Sequence, residues 1–171
     1  MTRLSKACLS GATALLFGVF SSLALAADRE DFVNEASAKA LAEIESAQLA
    51  LETSQSEDIR EFAQMMIDDH TKSREKLAEL AAGDDDLELA DNATLMDRAK
   101  VMILELRDGE SFDQAYANNQ VNAHEQTLEL YREYAREGEH EELSTYAEGE
   151  LSTLEEHLEK ARELQNKYAN Q

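Results

Sequence analysis

A chain of 171 residues is the length of one ordinary domain. It has no proline and only 6 glycines, and its abundance of Ala, Leu, Glu, Gln and Lys favours an all-α fold, while missing β-branched and aromatic runs exclude a sheet. With 37 acidic against 16 basic residues the formal charge is −21; such a surface repels nucleic-acid phosphates and anionic headgroups, which excludes a nucleic-acid partner and leaves solubility, a bound metal ion or a basic protein partner as its use.

Residues 1–26 read as a secretory signal peptide. Arg3 and Lys6 give a positive start, residues 12–25 an apolar run, and Ala24-Leu25-Ala26 an A-x-A cleavage site. The apolar run is shorter than the ~20 residues of a membrane span, so no stable membrane anchor is expected after cleavage. Cys8 lies ahead of the apolar run and forms no lipobox. Cleavage after Ala26 would remove the sole cysteine and two positive charges, taking the formal charge from −21 to −23. The expected destination is the periplasm or the medium, and the expected folded domain is residues 27–171.

The first long helix is expected over residues 28–53, with Asp28 as its cap. Its apolar face is Val33, Ala36, Ala40, Ile44, Ala47 and Leu51, with Phe32 beside it. Glu43 falls on that face, whereas Glu45 falls with Leu41, Gln48 and Glu52 on a more polar side. The second long helix begins after Ser56 and stops near Ala82, before Gly83. Its inward face, Ile59, Phe62, Ala63, Met66, His70, Ser73, Leu77 and Leu80, places a histidine where a core residue belongs.

The stretch Gly83 to Asn92 reads as an acidic turn. Its three adjacent aspartates lack the D-x-D-x-D-G spacing of a calcium loop. A short helix follows over about residues 93–107, with Leu95, Ala99, Met102 and Leu106 on one side and Gly109 at its end. The third long helix opens on Ser111-Phe112-Asp113-Gln114, a capping box, and runs to Glu137. Phe112, Tyr116, Gln120, Val121, His124, Leu128, Tyr131 and Ala135 form its inward face. The fourth covers residues 141–168 and turns Leu143, Ala147, Glu150, Leu151, Leu154, His157, Ala161, Leu164 and Tyr168 inward. His140, in the turn before it, reads as a solvated loop residue. Four long helices in two hairpins make a four-helix bundle. The connection between the hairpins, with its own short helix, is long enough to run the length of the bundle, which permits a ferritin-like crossover.

Four polar residues lie near helix midpoints. Glu43 is fifteen residues after Asp28, His70 thirteen after Glu57, His124 thirteen after Ser111 and His157 sixteen after Glu141. Helices of similar length bring their midpoints together whichever way they run, and a mismatch of two or three residues is only ~3–5 Å. Burying one unsatisfied polar group costs roughly 2–7 kcal/mol, against ~5–15 kcal/mol of net stability for a whole domain. The four must therefore satisfy one another or hold something. Two readings remain: a transition metal held by Glu43, His70, His124 and His157, or a metal-free Glu–His hydrogen-bond network in a non-catalytic interaction protein. Glu150, Tyr116 and Gln120 share these faces and could support such a site.

Imidazole ligands suit Zn, Cu, Fe and Ni. Di-iron carboxylate bundles need Glu-x-x-His pairs, but the residues three before His70, His124 and His157 are Ile67, Val121 and Leu154, which argues against ferroxidase or oxygenase chemistry. No nucleophile–base pair, phosphate loop or nucleotide motif is visible.

Phe32-Val33, Ala42-Glu43-Ile44, Phe62-Ala63 with Met66, Asp69-His70-Thr71, Phe112-Asp113 with Tyr116 and His124, and Leu151 with Leu154, His157-Leu158 and Ala161 together carry a likeness. The chain resembles the DUF4142 family of exported bacterial proteins. That resemblance implies a ferritin-like four-helix fold over the mature chain and assigns no activity.

Overall fold

The absence of proline lets each apolar stripe run uninterrupted, and the computed structural model is accordingly built of helices alone among its described residues, 20–169, with side chains described from residue 29. These are α1 (Phe20–Thr53), α2 (Glu57–Ala81), α3 (Leu95–Leu104), α4 (Gly109–Glu137) and α5 (Glu141–Tyr168). Of the expected signal peptide, residues 1–19 lie outside the described residues and 20–26 form the first turns of α1. None of the described helices is long and apolar enough to cross a membrane.

Side-chain contacts fix the directions of the long helices. Along α1, Phe32 stacks on Tyr134 and Ser54 bonds to Asp113, so α1 and α4 are antiparallel. Along α2, Asp58 meets Tyr168, Asp69 meets His157 and Ser73 meets Tyr146, so α2 and α5 are antiparallel too. Short turns close the α1–α2 and α4–α5 hairpins. It follows that α2 and α4 run the same way, and residues 82–108 must return along the whole bundle. One long crossover of this kind is the connection of ferritin-like bundles. It is tied down as it passes: the Ala90 amide donates to Ser37 Oγ at 2.8 Å, and Arg74 donates to the Ala90 carbonyl at 2.9 Å. The acidic turn before it is held to α1 by Arg29, which pairs with Asp84 and Asp86.

Aromatic clusters fill the two ends of the core. Phe32 stacks on Tyr134 with ring centroids 3.9 Å apart and meets Tyr131 edge-on at 5.3 Å. At the other end Tyr116 lies between Phe112 and Phe62, at 6.0 and 6.3 Å. The polar midpoint residues occupy the layer between these clusters.

Several local expectations are corrected. The first helix begins at Phe20, so Asp28 lies inside it rather than at its start. No capping box forms at Ser111, because α4 starts two residues earlier at Gly109. Gly109 takes φ +50°, a left-handed conformation that favours glycine, and so opens a helix rather than ending one. Ser111 then accepts from Arg107, and Gln114 reaches the Tyr168 carbonyl instead of its own helix start. Near the end of α4, Tyr134 is buried and Ala135 only half-buried. His140 is the N-cap of α5, accepting from the Leu143 amide. The turn before it is tight: a Cβ on Gly138 would stand 2.6 Å from the Tyr134 carbonyl oxygen.

The largest correction concerns α3, which is shorter than expected and faces the other way. Leu104 is buried, while Leu95, Met102 and Leu106 are 85, 64 and 86% exposed. A helix this apolar on several sides does not announce which side docks. Here the docking side carries the Asp97–Lys100 ion pair, and that pair acts electrostatically on the buried Glu43 beneath it.

Candidate metal centre

Each long helix after α1 delivers one histidine to the middle layer. His70 comes from α2, His124 from α4 and His157 from α5, and all three are buried, at 6, 1 and 2% exposure. Their ring centroids lie 5.4–5.6 Å apart in every pairing. One nitrogen from each ring falls within 4.8 Å of the other two. Three nitrogens sharing one ion at ~2.0–2.1 Å stand about 3.3 Å from one another, so closing on an ion requires movements of the order of 1 Å.

Hydrogen bonds decide which nitrogens carry lone pairs. His124 Nδ1 lies 2.9 Å from the Gln120 carbonyl oxygen. A carbonyl only accepts, so Nδ1 carries the proton and Nε2 the lone pair. His157 Nε2 lies 3.2 Å from Asp69 Oδ2, which by the same reasoning leaves the lone pair on Nδ1. Those two lone-pair atoms, and His70 Nε2, are buried without a hydrogen-bond partner. Metal-binding histidines are commonly held in this way, the far ring nitrogen donating to a carbonyl or carboxylate.

Electrostatics keep the rings ready. Burial, with the neighbouring imidazoles of His124 and His157, pushes His70 well below its ordinary value. Burial and His124 push His157 down to about 4, against the opposing pull of the Asp69 carboxylate. Both are neutral at pH 7, the state that coordinates. Desolvation would raise Asp69, but bonds from Lys72 and His157 hold it below the usual carboxylate range.

The fourth expected ligand stands apart from this group. Glu43 is buried, at 4% exposure, and its Oε2 has no partner. It is close enough to His124 to interact with it electrostatically, yet the cluster of mutually close donors contains the three histidines and not Glu43. Burial raises its carboxyl above the usual range, opposed by His124 and a bond from Gln120. Gln120 serves twice, its carbonyl receiving the His124 proton and its amide reaching Ser46 Oγ at 3.3 Å. Tyr116 is buried among aromatic rings, and the nearby Glu43 adds to the burial that raises its hydroxyl. Glu150 is half-buried and bonded to Lys76 at 3.0 Å. With Asp69, His70, Ser73 and His157 it lines a cavity of about 10 Å³, roughly the room one water needs.

Sequence reasoning missed Asp69 as a partner of the layer. The adjacent Asp69-His70 pair was the available signal: one residue is ~100° of helix rotation, which turns Asp69 from the core face toward α5.

Residues 18–164 match the family described as Domain of unknown function (DUF4142). No curated protein and no solved structure matches the chain.

Proposed function

The chain belongs to the DUF4142 family, a domain of unknown function, and from that premise we propose that it is an exported ferritin-like bundle protein that binds one transition-metal ion in its middle layer. His70, His124 and His157 supply the ligands, and Glu43 is the fourth group, drawn in from beside His124. The ligand chemistry suits Zn, Cu or Fe. The role that fits a buried site with little free volume is metal buffering or protection of the cell envelope. Export rests on the basic start, apolar run and A-x-A site of residues 1–26.

The observation that carries this reading is the set of three orphaned ring nitrogens. Each buried ring nitrogen without a partner is a cost of roughly 1–3 kcal/mol, and a single cation relieves all three once His70 carries its proton on Nδ1. Elemental analysis of untagged protein purified from the exported fraction tests it. The expected result is about one metal ion per chain, lost in His70→Ala. Metal-free protein after growth with zinc, copper and iron supplements would overturn it.

The metal-free network is the second reading, favoured by the bonds already made to Asp69, Gln120 and Ser46. It describes a non-catalytic envelope interaction protein, indifferent to chelators, with a basic protein partner. The three orphaned nitrogens weigh against it.

A further inference from the structure

The crossover carries an apolar stripe in water. Leu95, Met96, Met102, Ile103 and Leu106 are 55–86% exposed, and among the described residues the large exposed apolar side chains all fall in this one stretch. Leu95, Ala99 and Met102 recur on α3 at intervals of four and three residues, the spacing of a coiled-coil seam, and Leu106 follows four residues on, in the turn just past the end of the helix. Met96 and Ile103 widen the seam on one side. On its other side stand Arg98 and Glu105; Glu105 is the C-cap of α3 and keeps helical backbone, so the seven-residue interval puts both on the same edge. Both are exposed, and among the described residues neither side chain has an ion-pair partner.

We propose that this stripe is the contact surface for a second copy of the chain, packed antiparallel across a two-fold axis. A two-fold axis places each edge of α3 beside the same edge of its mate, running the other way. Arg98 of one copy then faces Glu105 of the other, and the pair is made twice, while Leu95, Met102 and Leu106 close over one another. Charge complementarity selects this occupant. An edge carrying both signs at a heptad interval satisfies itself on reversal, whereas a basic partner would leave Arg98 facing like charge. A lipid surface would have to accept a chain of formal charge −21. A stripe of this length belongs to the small class of interfaces, below about 1,200 Å² in total, so the association is weak and concentration-dependent.

Sedimentation velocity of the purified protein, from low micromolar to near-millimolar concentration, reads the association directly. The wild type is expected to pass from monomer to dimer across that range. Met102→Glu shifts it to monomer. Arg98→Glu and Glu105→Arg each weaken it by about tenfold or more, because each places like charges together twice, and the two combined restore it to within a few-fold of wild type. These positions are exposed, so far-ultraviolet circular dichroism should be unchanged in every variant. If Met102→Glu alone loses helicity, the charge-reversal set decides the matter. A monomer at all concentrations, or a dimer indifferent to the charge reversals, would overturn the proposal. So would a monomeric wild type that binds phospholipid vesicles or a polylysine probe through this stripe. Metal content plays no part in the readout, so this result and that of the elemental analysis stand separately.

Discussion

His157 donates its Nε2 proton to Asp69 Oδ2 across 3.2 Å, linking α5 to α2 at the edge of the histidine cluster. The bond fixes the ring tautomer and leaves the lone pair on Nδ1, which is buried without a hydrogen-bond partner. Asp69 is itself held by Lys72, at 3.2 Å. Loss of such a carboxylate typically lowers metal affinity by about 10–100-fold. Asp69→Ala is therefore expected to weaken binding in that range while leaving the stoichiometry unchanged, and Asp69→Asn, whose amide oxygen still accepts, to fall between it and the wild type. Competition against a chromophoric chelator measures this. Equal affinities for all three proteins would reduce Asp69 to a surface partner of Lys72.

The same buried rings make the metal-free fold acid-sensitive. His157 titrates at about 4 when folded, below its ordinary 6.5. Between those values the unfolded chain binds the extra proton, so stability rises with pH there. The contribution is fully present above about 6.5 and is lost as pH falls toward 4. The interval amounts to about 3 kcal/mol at most, and His70, also pushed down, acts in the same direction. Urea denaturation of chelator-treated protein at pH 7.5 and pH 4.5 should show the loss, and His157→Gln should show a smaller one. An equal loss in the two proteins would mean that His157 is not the group responsible.

Glu43 allows metal ligation and structural satisfaction to be separated. Burial raises its carboxyl, which favours the neutral form, although His124 and Gln120 oppose this. Glutamine has the same shape and no charge. Glu43→Gln should therefore change the stability of the metal-free protein by less than about 1 kcal/mol, and should weaken metal binding if Glu43 closes the coordination shell. Thermal unfolding with and without metal gives both quantities, since bound metal raises the midpoint in proportion to affinity. A large loss of stability in the metal-free variant would show instead that the carboxylate is a structural anion.

The long helices were legible because the residues that specify them repeat with the helical period. His70, His124 and His157 were legible for the same reason: each interrupts an otherwise apolar stripe near a midpoint, and bundle geometry joins midpoints. The distinction between Glu43, facing inward, and Glu45, in solvent, came from two residues of helical rotation, about 200°. Depth within the layer was not legible. A few tenths of a turn on α1 decide whether Glu43 joins the three rings or stays beside His124, and periodicity does not resolve that. Helix starts failed at Asp28 and Ser111 because capping signals are short and compete with neighbours, here with Gly109 and its left-handed backbone. The docking side of α3 failed because Val101 and Leu104 form a second, narrower apolar edge, which packs with the neighbouring Asp97 and Lys100 over the buried Glu43.

Asp113 marks the far end of the bundle, away from the histidine layer. Its carboxylate accepts from Ser54 Oγ at 2.6 Å and from Ser56 Oγ as well, so one buried side chain on α4 clasps the turn between α1 and α2. Asp113 is 3% exposed and Ser54 fully buried. Asp113→Ala removes both bonds and leaves the Ser54 hydroxyl without its acceptor, a loss of about 2–4 kcal/mol. Asp113 and His124 are eleven residues apart on one helix, about 16 Å at the helical rise. The variant is therefore expected to unfold at lower urea and still take up one metal ion per chain. A parallel loss of metal would mean that the clasp sets the register of α4 against α1, so that a shift at the turn reaches the histidine layer through the rigid helix.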